Sequence, residues 1–248
     1  MKKLSLYGLL IVFSLGCTKD DSSFSAGIVN FSGKGGSTAK FTISQDVLYV
    51  VNPRTLKAFD ISTPSAPRQV SETLLGTDIE TIFPKGNHLF IGAQSGMHIY
   101  DISNKYNPQF VSTYTHVVSC DPVVAHEDYA FVTLRNGTSG PCRRGINSLD
   151  VLDISNPAQP KVVARYPMTQ PRGLGIDANW NLFVCDGKLK HLDATNPRSV
   201  IAKNVYDAEE PLDVIPVGDR LLLIAKDGLY QYKIENNQLV LLSKISVG

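Results

Sequence analysis

The stretch TLKAFDISTPSAPRQVSE (55–72) decides the fold, because the chain repeats it. Its copies are GMHIYDISNKYNPQFVST (96–113), SLDVLDISNPAQPKVVAR (148–165) and KLKHLDATNPRSVIAKN (188–204). A fifth segment, GLYQYKIENNQLVLLSK (228–244), keeps the apolar alternation without the acid. The anchor positions Asp60, Asp101, Asp153, Asp193 and Lys233 stand 41, 52, 40 and 40 residues apart. Ahead of each copy lie two more runs of branched and aromatic residues. The nearer are VLYVV (47–51), HLFIG (88–92), YAFVT (129–133), NLFVC (181–185) and LLLIA (221–225). The farther are AKFTI (39–43), ETIFP (80–84), DPVVA (121–125), GLGID (173–177) and DVIPV (213–217). Gly, Asn, Asp and Pro separate the runs, which is strand-and-turn chemistry. No segment sustains a helical period. Short strands in groups of about four, recurring about every 40 residues, predict propeller blades. A lone sheet leaves both faces bare, so blades must stack on neighbours round an axis. The expected fold is all-β, a five-bladed β-propeller of four-stranded antiparallel blades over residues 37–248, with inner strands near 38–43, 79–84, 121–125, 172–177 and 212–217.

The recurring Asp-Ile-Ser with a nearby Pro resembles the LVIVD-repeat family of bacterial β-propeller proteins, over nearly all of residues 37–248. The resemblance implies the propeller fold; it carries no assigned biochemistry. The Asp-Ile-Ser corner itself reads as structural. Asp and Ser at a strand end bond nearby backbone N–H groups and lock a turn. Pro67, Pro108 and Pro160 then open an outer strand, where a missing N–H is tolerated.

The N-terminus carries an address. Lys2 and Lys3 precede an apolar run, Leu4 to Gly16, of 13 residues. Spanning a bilayer takes about 20, so residues 1–16 read as a secretion signal. Gly16-Cys17 resembles the lipobox of bacterial lipoproteins, although Ser14 stands where that motif prefers Leu. The resemblance implies cleavage before Cys17 and acylation of its thiol. Lys19-Asp20-Asp21 resembles an export signal that sends lipoproteins to the outer face of the outer membrane. Residues 17–36, rich in Ser, Gly and Asp, form a flexible tether. The expected location is the outer membrane, lipid-anchored and cell-surface exposed.

Charge narrows the function classes. The 24 basic and 23 acidic residues leave no single-sign field to recruit nucleic acid. No P-loop, dinucleotide fingerprint or G-x-S-x-G appears, and Gly33-Lys34-Gly35-Gly36, lacking a following helix, reads as linker. The five His share no ligand spacing and there is no C-x-x-C, so no metal site or cofactor is expected. Gly173-x-Gly175 reads as a close backbone approach near the axis.

Variation concentrates on one face, where strands d–a and b–c connect. The 52-residue spacing arises from the long connection LRNGTSGPCRRGINS (134–148), with Arg135, Arg143 and Arg144. Cys120 and Cys142 fall on that same face of the third blade. In an oxidising compartment they form the economical disulfide, with Cys185 the competing partner and otherwise a buried apolar residue. Aligning the inner strands places Ala39, Glu80, Asp121, Gly173 and Asp213 together near the axis, with Arg172 beside the fourth place. Glu80, Asp121, Arg143, Arg144, Arg172 and Asp213 are therefore the candidate binding residues. The leading reading is a monomeric, non-catalytic binding or assembly module presenting this face to an outer-membrane protein or a glycan. The alternative is an extracytoplasmic glycoside hydrolase or lyase using the axial carboxylates, a chemistry that needs two carboxyl groups within about 5–10 Å. Cys17→Ala is expected to move the protein from the membrane fraction to the soluble fraction, with loss of the lipid increment in its intact mass.

Overall fold

The computed structural model of the chain describes residues 35–116, 122–137 and 146–247. All its strands lie in one unit, Ser32–Gly248. Among the described residues no helix is long and apolar enough to cross a membrane. Twenty strands among the described residues form five four-stranded antiparallel sheets in sequential order, the expected five-bladed propeller. Blade 1 is β1 (Phe41–Ser44), β2 (Val47–Val51), β3 (Thr55–Asp60) and β4 (Arg68–Leu74). Blade 2 is β5 (Ile79–Lys85), β6 (His88–Ala93), β7 (Gly96–Asp101) and β8 (Gln109–Thr115). Blade 3 is β9 (Val123–His126), β10 (Tyr129–Leu134), β11 (Ser148–Asp153) and β12 (Lys161–Pro167). Blade 4 is β13 (Pro171–Ile176), β14 (Asn181–Asp186), β15 (Lys188–Asp193) and β16 (Ile201–Tyr206). Blade 5 is β17 (Pro211–Val217), β18 (Arg220–Ala225), β19 (Gly228–Glu235) and β20 (Gln238–Ser246).

The Asp-Ile-Ser corners do what their chemistry predicts. Asp60 Oδ1 accepts from the Ser62 amide at 3.0 Å and its hydroxyl at 2.7 Å. Asp153 does the same with Ser155, and Asp193 with Thr195. These bonds favour the charged form, holding Asp60 and Asp153 below the usual carboxylate range and Asp193 at about 2. The residue after each anchor donates its amide to the turn between the two inner strands: Ile61 to Asp46, Ile102 to Asn87, Ile154 to Asp128, Ala194 to Trp180 and Ile234 to Asp219. Every pairing of third and fourth strands slips by one residue just ahead of the anchor, between Ala58 and Phe59 in blade 1 and at the matching place elsewhere. Such bulges bend and twist the outer strand.

Packing follows the same repeat. Opposite Ala58, Ile99, Val151 and His191 of the third strands stand Tyr49, Phe90, Phe131 and Phe183, each fully buried. Each ring seats in the core shared with a neighbouring blade. One apolar cluster joins blades 1 and 2, a second joins blades 2, 3 and 4, and a third joins blades 4 and 5. Among the described residues no cluster joins blade 5 to blade 1. The matching position in blade 5 is Leu222, opposite Gln231, and it is only half-buried. Ile224 and Leu229 on the same face are 40% and 37% exposed. Phe131→Ala is therefore expected to cost about 3–5 kcal/mol of stability. Leu222→Ala, at the junction without a shared core, should cost less than about 1.5 kcal/mol; denaturant unfolding of the two variants measures the difference.

Candidate functional site

The first and last blades meet through polar groups at the axis. Asp213, only 5% exposed, accepts from the Ser37 hydroxyl at 2.9 Å, the Thr38 hydroxyl at 2.6 Å, the Thr38 amide at 3.2 Å and its neighbour Val214's amide at 2.9 Å. The Ser37 hydroxyl in turn accepts from the Leu174 amide at 2.8 Å, so blade 4 joins the clasp. Two glycines make room for it. A Cβ at Gly36 would lie 2.2 Å from Asp213 Oδ2, and one at Gly173 would lie 2.2 Å from Oδ1. Gly35-Gly36 was expected to be linker; Gly36 is buried at this junction instead. Gly175 lies against Pro216 and the Val214 carbonyl, the close approach its position predicts.

This geometry corrects the alignment of the inner strands. Phe41, Ile82, Val123, Leu174 and Val214 all pair with the residue that follows the large core side chain of their second strand. Counting back from them puts Ala39, Glu80, Arg172 and Leu212 at one level, and Lys40, Thr81, Pro122, Gly173 and Asp213 at the next. Asp213 is thus one place beyond Glu80. β5 and β17 carry the same register shift at their starts, between Ile79 and Thr81 and between Pro211 and Asp213, so the counterpart of Asp213 in blade 2 is Thr81 and that of Glu80 in blade 5 is Leu212. Glu80 faces the axial mouth, while Asp213 faces the clasp.

The mouth is a recess of about 450 Å³, lined by Thr38, Lys40, Glu80, Thr81, Pro122, Arg135, Arg172, Gly173 and Leu212. All five blades contribute. Beneath it, within the axis, a space of only about 10 Å³ remains between Phe83, Val124, Leu174, Ile176, Val214 and Ile215. That is room for one water at most, so the recess is a cup and not a pore. Its rim charge is mainly basic: Lys40, Arg135 and Arg172 face Glu80, the one acid lining the cup among the described residues. Arg172 reaches Glu210 at 3.7 Å, and Glu210 also holds Lys226 at 2.9 Å. The Arg172 carbonyl accepts the Thr133 hydroxyl at 2.6 Å, which fixes the start of β13.

Of the candidate residues, Glu80 and Arg172 meet in the cup and Asp213 does not. Cys17, Cys120, Asp121, Cys142, Arg143 and Arg144 lie outside the described residues, as does the bulk of the long connection in blade 3. The described base of that connection is pinned by Asn147, whose side chain accepts from the Asn136 amide at 2.8 Å and donates to the Thr169 carbonyl at 2.7 Å. Cys185 is a free thiol, fully buried, and burial pushes its pKa up; it is the apolar core residue expected. No group of three His, Cys, Asp or Glu suited to a metal ion occurs among the described residues. Sequence reasoning missed Lys40 and Thr38. The signal for Lys40 was its place next to Ala39 in the aligned inner strands; Thr38 and Ser37 offered none.

Known proteins match this arrangement. The LVIVD repeat family matches residues 35–73, 80–116 and 144–168. A search of the curated proteins found no match. Among solved structures, a protein of unknown function from Desulfotomaculum acetoxidans superposes with a TM-score of 0.67 at 14% identity, over 84% of this chain and 70% of its own. A periplasmic gluconolactonase from Pseudomonas aeruginosa gives 0.65 at 14% identity, again over 84% and 70%. A Lactobacillus plantarum protein gives 0.65 at 13%, over 82% and 69%. At these identities the likeness is one of fold. Asp213→Ala is expected to leave buried donors without an acceptor, at about 1–3 kcal/mol for each. Gly36→Ala should destabilise the protein at the same junction, and thermal unfolding of both variants checks the clasp.

Proposed function

The chain carries LVIVD repeats in a five-bladed propeller, and on that premise we propose that it is a non-catalytic binding or assembly module of the cell envelope. In this reading acylated Cys17 anchors it to the outer membrane, residues 18–34 tether it, and the propeller presents its axial mouth to a partner protein or glycan at the cell surface. The observation that carries the reading is the cup itself. It gathers side chains from all five blades on a rigid frame, and its floor is closed by apolar residues. Functional groups held by connections above a rigid scaffold are the usual form of a binding site. The same geometry removes Asp213 from any acid–base pair at the mouth. A glycosidase needs paired carboxylates across a cleft, whereas Glu80 is the sole acid lining the cup among the described residues and Asp213 is spent on the clasp. A disulfide between Cys120 and Cys142 would stiffen the long connection beside the mouth, as part of the same proposal.

The test uses photo-crosslinking amino acids placed singly in the full chain, in cells. Positions Thr38 and Arg135 at the mouth are expected to capture a partner. Positions Asp46 and Asp219, in turns of the opposite face, are expected to capture none. Capture from the turns alone would place the working face on the other side of the ring.

A further inference from the structure

Three cations from three blades converge on one cup: Lys40 of the segment leading into β1, Arg135 at the end of β10 and Arg172 of β13. Among the described residues only Arg172 has an acidic partner, and that partner is shared. Glu210 sits 3.7 Å from Arg172 but 2.9 Å from Lys226, and it is more than half exposed. An exposed pair of this length contributes little, and the three cations outnumber Glu80, the one acid lining the cup among the described residues. The concave shape of the recess focuses such a field. Guanidinium groups match the planar geometry of a carboxylate or the fork of a phosphate.

The rest of the lining adds hydroxyl recognition. The Thr38 hydroxyl gives its proton to Asp213 and keeps acceptor capacity toward the cup. Glu80 lines the cup opposite the cations. A volume of about 450 Å³ lies within the range of small-molecule sites and above a closed floor. We infer that the axial cup binds a small hydroxylated anion, a sugar bearing a carboxylate or a phosphate. This rests on the mouth being the working face and adds the chemical class of what it takes.

Titration calorimetry on the detergent-solubilised full chain tests the inference with three probes: galacturonate, glucose 6-phosphate and glucose. Binding of at least one anion, about tenfold or more tighter than glucose, is expected, and the two anions separate a carboxylate from a phosphate preference. Arg135→Gln and Arg172→Gln should each weaken that anion about tenfold with unchanged melting temperature. Glu80→Gln should retain or tighten anion binding, because it removes a like charge. Exposed Lys40→Gln gives a third variant whose folding is not at risk. Equal affinity for glucose, no heat from either anion, or variants that bind as the parent does would each overturn the inference. If crosslinking at Thr38 and Arg135 still captures a partner in that event, the mouth remains the working face and only the ligand class is wrong.

Discussion

One buried carboxylate closes the ring. Asp213 accepts four hydrogen bonds from the segment leading into β1 and from the start of blade 5, and Gly36 and Gly173 give up their side chains to let it in. Buried charge is costly unless its lone pairs are used, and here four donors use them. The other four junctions are held by apolar cores; this one depends on hydrogen-bond geometry. The position of Thr38 and Lys40 at the mouth, and so the shape of the cup, follows from that geometry.

Between the remaining blades, packing and polar bolts act together. The large side chains Tyr49, Phe90, Phe131 and Phe183 bury the inner parts of the sheets. Farther out, Asp150 is fully buried in blade 3. Burial raises its pKa, but bonds from Arg165, Tyr114 and Ser148 outweigh this and keep it ionised. Tyr114 comes from blade 2, so the network fixes the angle between two sheets. On the face away from the mouth, the Tyr106 hydroxyl donates to Asp60 at 3.2 Å, and Arg198 lies 3.5 Å from Asp153. The anchor acids therefore serve twice, holding their own turn and a neighbouring blade.

The fold was legible because its signals are local and recur. Strand alternation, turn residues and the Asp-Ile-Ser corner each repeat with the blade, and every copy supports the others. Gly175 was legible for the same reason: a small residue inside a strand near the axis has few other uses. The mouth was only partly legible. Glu80 and Arg172 were placed correctly, but Asp213 was grouped with Glu80 because no residue pattern at the start of the inner strands marks their register; pairing with the second strand sets Asp213 level with Thr81 instead. Ser37 and Thr38 were invisible because they border a Gly-rich stretch whose composition matches a tether. Their role depends on contacts about 175 residues away in sequence, a separation at which local pattern carries no information.

The clasp also sits where the chain enters the propeller. Any tension transmitted along the N-terminal segment reaches Gly36, Ser37 and Thr38 before it reaches a strand. Those residues are held to blade 5 by side-chain hydrogen bonds, whereas β1 behind them is held by a ladder to β2. Mechanically the clasp is a fuse between the N-terminal segment and the blades. Thr38 and Lys40 line the cup just past that fuse, so a pull strong enough to open it would deform the mouth while the blades stayed folded.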